Sequence, residues 1–85
     1  MELVIERSVA KALTRMSPKV ATAILAVLRS VASDPFASQR NVKRHKGNKD
    51  HFRLRHGDWR ALYRLDREAQ RMIVEAVLPR GSAYR

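Results

Sequence analysis

The segment HFRLRHGDWRALYRLD, residues 51–66, constrains the fold of this chain more than any other stretch. Phe52 and Leu54 alternate with Arg53 and Arg55; further on, Trp59, Ala61, Tyr63 and Leu65 alternate with Arg60, Leu62 and Arg64. A period of two sends successive side chains to opposite faces of an extended strand. Gly57-Asp58 between the two runs is a tight-hairpin signal. The segment therefore reads as two antiparallel strands with one apolar face and one face that gathers Arg53, Arg55, Arg60 and Arg64. Like charges opposite one another weaken a sheet. Folding alone does not call for such a cluster, and an anion seated on it would.

The rest of the chain supplies the apolar layer that such a hairpin needs. MELVIE is short and β-branched and predicts a strand over 2–6. Val9, Leu13 and Met16, and then Val20, Ile24, Val27 or Leu28, and Val31, recur every three or four residues, so two amphipathic helices follow. Ser17-Pro18 separates them, Ser as an N-cap and Pro at the first helical position. Asp34-Pro35 ends the second helix near Ser33. Residues 36–50 read as a basic loop with room for a short extended piece, and RMIVEAVL is a further strand after the polar turn DREAQ. The expected fold class is α+β: an N-terminal strand, a two-helix hairpin, then three antiparallel strands. The helices pack on one face of a curved, largely antiparallel sheet and leave the other open. At 85 residues the whole chain, 1–85, is expected to form a single small domain.

Charge narrows the partners. Eighteen Lys and Arg against eight Asp and Glu give a net charge of +10, and residues 40–64 hold nine basic side chains against Asp50 and Asp58. Such an excess points to polyanions or acidic proteins. No cysteine is present, which excludes disulfides and thiolate metal sites. His45, His51 and His56 lack the carboxylate neighbours and spacing of a ligand set, so no metal and no other cofactor is expected. No apolar run reaches the roughly 18 residues of a membrane span and the first residues carry acids, so a cytoplasmic protein without membrane contact is expected.

The segment FRLRHGDWRALYRLD, the apolar strand after it and the terminal RGSAYR together resemble the RelE/ParE superfamily of bacterial toxins. They are most similar to the RelE-type, ribosome-dependent mRNA interferases. The resemblance implies an endoribonuclease toxin of a type II toxin-antitoxin system, cutting mRNA in the ribosomal A site. Its partners would be mRNA, the ribosome and a cognate antitoxin with an acidic binding segment. Carried over by motif, the catalytic positions fall on Arg53 and Arg55, on Arg60 after the aromatic of the next strand, on Arg80 and on Tyr84. Lys43, Arg44, Lys46, Lys49 and Arg64 are expected to bind the RNA backbone. Where many members have His before the C-terminal Arg, this chain has Pro79, which removes one proton-transfer group.

Arginine suits the stabilisation of a phosphorane, because its planar fork pairs with two phosphate oxygens and stays charged. Arg60 is the first choice for that role. Tyr84 beside cations fits a base, since neighbouring positive charge favours the phenolate. Arg80 is assigned to the leaving group by the resemblance alone, and electrostatic help there is equally consistent. Trp59 and Tyr63 could stack on bases, but their phase puts them in the core. Two alternatives stay open: a gyrase-binding ParE-like toxin on the same scaffold, and a non-catalytic RNA-binding module.

Overall fold

The computed structural model describes residues 1–37, 40–44, 47 and 50–81. Among them the elements run β1 (Glu2–Ile5), α1 (Arg7–Thr14), α2 (Pro18–Ser33), β2 (Val42–Arg44), β3 (His51–His56), β4 (Trp59–Asp66) and β5 (Arg71–Pro79). The strands form one sheet in the order β1-β5-β4-β3-β2. Only β1 runs parallel to its neighbour: the two helices carry the chain to β2 at the opposite edge, and the antiparallel run β2-β3-β4-β5 brings it back beside β1. The α+β class with helices on one face is as expected. The extended piece in the basic loop is β2, an antiparallel edge strand on β3.

Sequence alternation becomes geometry through the ladder. Leu54 faces Ala61, Phe52 faces Tyr63 and Leu65 faces Met72, so these side chains share the side that meets the helices. There Val9, Leu13, Ile24, Leu28 and Val31 close over Leu54, Ala61, Tyr63, Leu65, Met72, Val74 and Val77 in one buried cluster. Tyr63 is buried and stacks on Phe52 with ring centroids 5.4 Å apart. Trp59 is half-buried at the margin of the cluster. No described helix is long and apolar enough to cross a membrane.

Two local expectations are adjusted. β1 ends at Ile5, and Glu6 adopts an extended conformation (φ −64°, ψ 154°) as the N-cap of α1. Pro18 does open α2, but the Ser17 side chain makes no capping hydrogen bond, so the fixed φ of proline is what starts this helix. The β3–β4 turn has Gly57 at φ 57°, a left-handed value that a two-residue hairpin requires at its first position and that glycine adopts at little cost. The β4–β5 turn is held by Asp66 Oδ1, which accepts from the Ala69 N–H at 3.0 Å, and by Gln70 Nε2, which donates to the Arg67 carbonyl at 2.7 Å.

Leu28 has no exposed surface; Leu28→Ala is expected to cost about 2 to 5 kcal/mol in denaturant unfolding, as buried Leu→Ala changes do. Tyr63 offers a pH test. Burial pushes its pKa up to about 12 from 10.0, and its hydroxyl finds no partner among the described residues. A raised pKa contributes stability that is present below the unfolded value and disappears as pH climbs through the folded one. Wild type should thus lose about 2 to 3 kcal/mol relative to Tyr63→Phe between pH 10 and 12. Near neutrality the substitution should change stability by less than about 1 kcal/mol, because it removes a desolvated hydroxyl without breaking a bond.

Candidate functional site

The residues opposite the core in the ladder build the site. Arg53 pairs with Leu62 and Arg55 with Arg60 across β3 and β4, and Lys43 of β2 pairs with Arg53. All carry their side chains to the face away from the helices, as the alternation predicts. Facing pairs have Cβ atoms about 4.5 to 5.5 Å apart, and each like-charge pair weakens a sheet by a few tenths of a kcal/mol or more. Two such pairs, Lys43 with Arg53 and Arg55 with Arg60, lie side by side.

Two polar cavities open on this face. One, of about 180 Å³, is lined by Arg40, Asn41, Lys43, Arg53 and Arg55. The other, of about 390 Å³, is lined by Asn41, Arg55, His56, Gly57, Arg60 and Arg80. Asn41 and Arg55 belong to both, so the two form a continuous cationic groove. Among the described residues no carboxylate lines either cavity. Backbone bonds fix the walls: the Arg55 N–H donates to the Asn41 carbonyl at 2.8 Å, and the Arg80 N–H donates to the Asp58 carbonyl at 2.7 Å. The second bond sets Arg80 beside the hairpin turn although it follows β5.

Arg60 departs from expectation in one respect. Its register puts it on the open face, yet it is only 5% exposed. Nη1 folds back to donate to the Gly57 and Trp59 carbonyls, each at 2.9 Å. The guanidinium thereby braces the turn, and hydrogen bonds from a charged donor contribute about 1.5 to 3 kcal/mol. A cation held this way is preorganised: it needs no side-chain ordering when an anion arrives.

The other predicted positions separate. Arg64 shares the open face, but at its far end, where Nε lies 3.4 Å from Glu75 Oε2. His51 Nδ1 is 3.8 Å from Oε1 of the same carboxylate. The ladder slips by one residue between Leu62 and Tyr63, so that Ala76 and Val74 take the pairing positions and Glu75 bulges between them. Arg44 pairs with Phe52 on the helix-facing side, its guanidinium 5.9 Å from that ring. It does not join the groove. Lys46, Lys49, Tyr84 and His45 lie outside the described residues. Arg40 and Asn41 line the groove and were not singled out: Arg40 was one of nine basic residues in a run, and Asn41 carries no charge signal. Among the described residues no group of three or more His, Asp or Glu could hold a metal ion.

Comparison with known proteins identifies the family and the fold. The model of the ParE toxin of the type II toxin-antitoxin system parDE matches residues 3–84. No curated protein sequence matches the chain. Among solved structures, RelE in the RelE–RelB complex from Pyrococcus horikoshii superposes with a TM-score of 0.81 at 23% identity, over 94% of each chain. The isolated RelE toxin of E. coli gives 0.79 at 18% identity, over 98% of this chain and 89% of that one. A YoeB/ParE toxin from Agrobacterium tumefaciens gives 0.75 at 23%, over 93% and 98%. At such identities the superpositions establish the shared fold. With the family model spanning nearly the whole length, the chain belongs to the RelE/ParE superfamily, as a toxin of the type II toxin-antitoxin kind.

Proposed function

We propose that this toxin is a metal-independent endoribonuclease that cuts mRNA in the ribosomal A site. The observation that carries the reading is the cavity of Arg55, Arg60 and Arg80, three guanidiniums around one space with no described carboxylate among them. A phosphodiester is the anion this suits, because each planar fork pairs with phosphate oxygens. The 2′-hydroxyl of the RNA gives up its proton and attacks the adjacent phosphorus, the bond from phosphorus to the 5′-oxygen breaks, and that oxygen takes a proton from water, so that a 2′,3′-cyclic phosphate and a 5′-hydroxyl result. Arg60, fixed by the turn carbonyls, stabilises the charge that develops on the phosphorane. Arg53 and Arg55 hold the flanking backbone, with Lys43 and Arg40 further along the groove. Arg80, which lines the same cavity as Arg55 and Arg60, is the residue to which the resemblance gives the leaving oxygen, and its role there is electrostatic. Tyr84, four residues on, is the proton acceptor that the resemblance assigns. A ribosome that holds the message in place supplies the orientation that so sparse a site lacks.

The Pyrococcus RelE structure is a complex with RelB, and by that likeness an antitoxin binds this chain too. Its net charge of +10 calls for an acidic segment in that partner. A second reading is favoured by the family model, which is that of ParE: a toxin that binds DNA gyrase and cuts nothing.

Incubated with translating ribosomes, the wild-type protein should yield new 5′-hydroxyl ends at A-site codons. Arg80→Ala should cut about 100-fold to 1,000-fold more slowly, the loss expected for one oxyanion donor, with its melting temperature unchanged because the side chain is exposed. Tyr84→Phe should also lose cutting. Arg60→Ala should lose both cutting and about 1 to 3 kcal/mol of stability, since it also frees two turn carbonyls. Uncut messages together with inhibited gyrase supercoiling would establish the second reading instead.

A further inference from the structure

The two cavities of the cationic groove share a wall made by Asn41 and Arg55, and only one of these is a cation. Asn41 stands one step beyond the Val42–Leu54 pair, opposite Arg55, whose N–H its backbone carbonyl accepts at 2.8 Å. Two residues before Lys43, it takes the same open face. Asn41, Arg55 and Arg60 thus form one row across the sheet. Lys43 and Arg53 form the next row, two residues further along the strands, or about 6.6 Å away. That is also the step from one phosphate to the next along an extended nucleic-acid strand. The side chain of Asn41 is exposed, and its backbone carbonyl makes the bond to β3. The phosphate chemistry of the groove leaves its carboxamide unused.

We propose that Asn41 recognises the ribose of the substrate: with consecutive phosphates seated in the two cavities, its carboxamide exchanges hydrogen bonds with the 2′-hydroxyl of the sugar that links them. The inference rests on the RNA reading of the groove and adds the contact by which the groove prefers RNA to DNA. Guanidinium forks pair with phosphate oxygens, which RNA and DNA share, so the arginines do not make that distinction. A 2′-hydroxyl both donates and accepts, and it sets RNA apart from DNA at a given site. A carboxamide likewise offers donor and acceptor, whereas Arg55 beside it on the shared wall offers donors only. The sugar comes to this wall because it joins the two phosphates, and a backbone turned toward the cations turns its bases outward. Neither cavity is lined by a described Phe, Tyr or Trp on which a base could stack.

Fluorescence anisotropy at low salt with hexa-adenylate, hexa-uridylate and the 2′-deoxy form of each tests this. Binding is measured in toxin carrying Tyr84→Phe, which removes the proton acceptor proposed above, so that cutting does not intrude. This parent protein should bind each RNA about threefold to tenfold more tightly than its deoxy counterpart, the gain expected from a hydrogen bond. Adding Asn41→Ala should lower the RNA affinities to the DNA ones. The DNA affinities should stay unchanged, which shows that the fold and the phosphate contacts are intact. The proposal is overturned if the parent binds RNA and DNA alike, a comparison that needs no change at Asn41, or if the preference for RNA survives Asn41→Ala. It is equally overturned if Asn41→Ala alters the choice between adenine and uracil and not the choice of sugar, or weakens RNA and DNA to the same extent. Hexanucleotides that do not bind at all would remove the RNA reading and this inference with it; binding without a sugar preference removes this inference alone.

Discussion

The structure turns on a like-charge contact that a sheet would ordinarily avoid. Arg55 and Arg60 face each other across β3 and β4 beside a second such pair, Lys43 and Arg53. The ladder tolerates this because Arg60 turns back to the carbonyls of Gly57 and Trp59. Those oxygens supply partial negative charge where no described carboxylate lines the cavity. One residue thus closes the hairpin and preorganises a cation for an incoming anion. The guanidinium that holds the turn also lines the cationic cavity.

The open face consequently has two ends of different character. At one, Arg53, Arg55, Arg60 and Arg80 surround a groove to which β2 adds Lys43. At the other, Glu75 lies within ion-pair distance of Arg64 and His51 and quiets what would have been an extension of the cationic stripe. The bulge in β5 makes the difference, since it inserts Glu75 between two regular pairs. The positive charge is therefore concentrated at the hairpin end, where Arg80 also lies.

Much of this was legible in the sequence because alternation is local. Phe52, Leu54, Ala61, Tyr63 and Leu65 face the helices, and Arg53, Arg55 and Arg60 oppose them, as the period of two requires. What escaped depends on register and on non-neighbours. The Arg64–Glu75 contact needs the bulge, which no pattern announces. Arg44 falls on the other side from Lys43 because β2 is a true strand, three residues long, within a loop whose composition hid it. The burial of Arg60 follows from turn geometry, which makes carbonyls available to a guanidinium three residues away. Ser17 and Pro18 illustrate redundancy: the sequence offers a side-chain cap and a proline, and the helix uses the proline.

The central claim is that the paired guanidiniums are held against their own repulsion for the sake of an anion. It is tested most directly by comparing the stability of wild type and Arg55→Thr at low salt, with and without a 2′-O-methyl RNA hexanucleotide. The exposed Arg55 gives way to a good strand former, so the variant should be more stable by about 0.5 to 1 kcal/mol without RNA. The RNA should then stabilise wild type and not the variant, closing the gap. A variant less stable than wild type in the absence of any anion would contradict the account, because Arg55 would then serve the fold and not the groove.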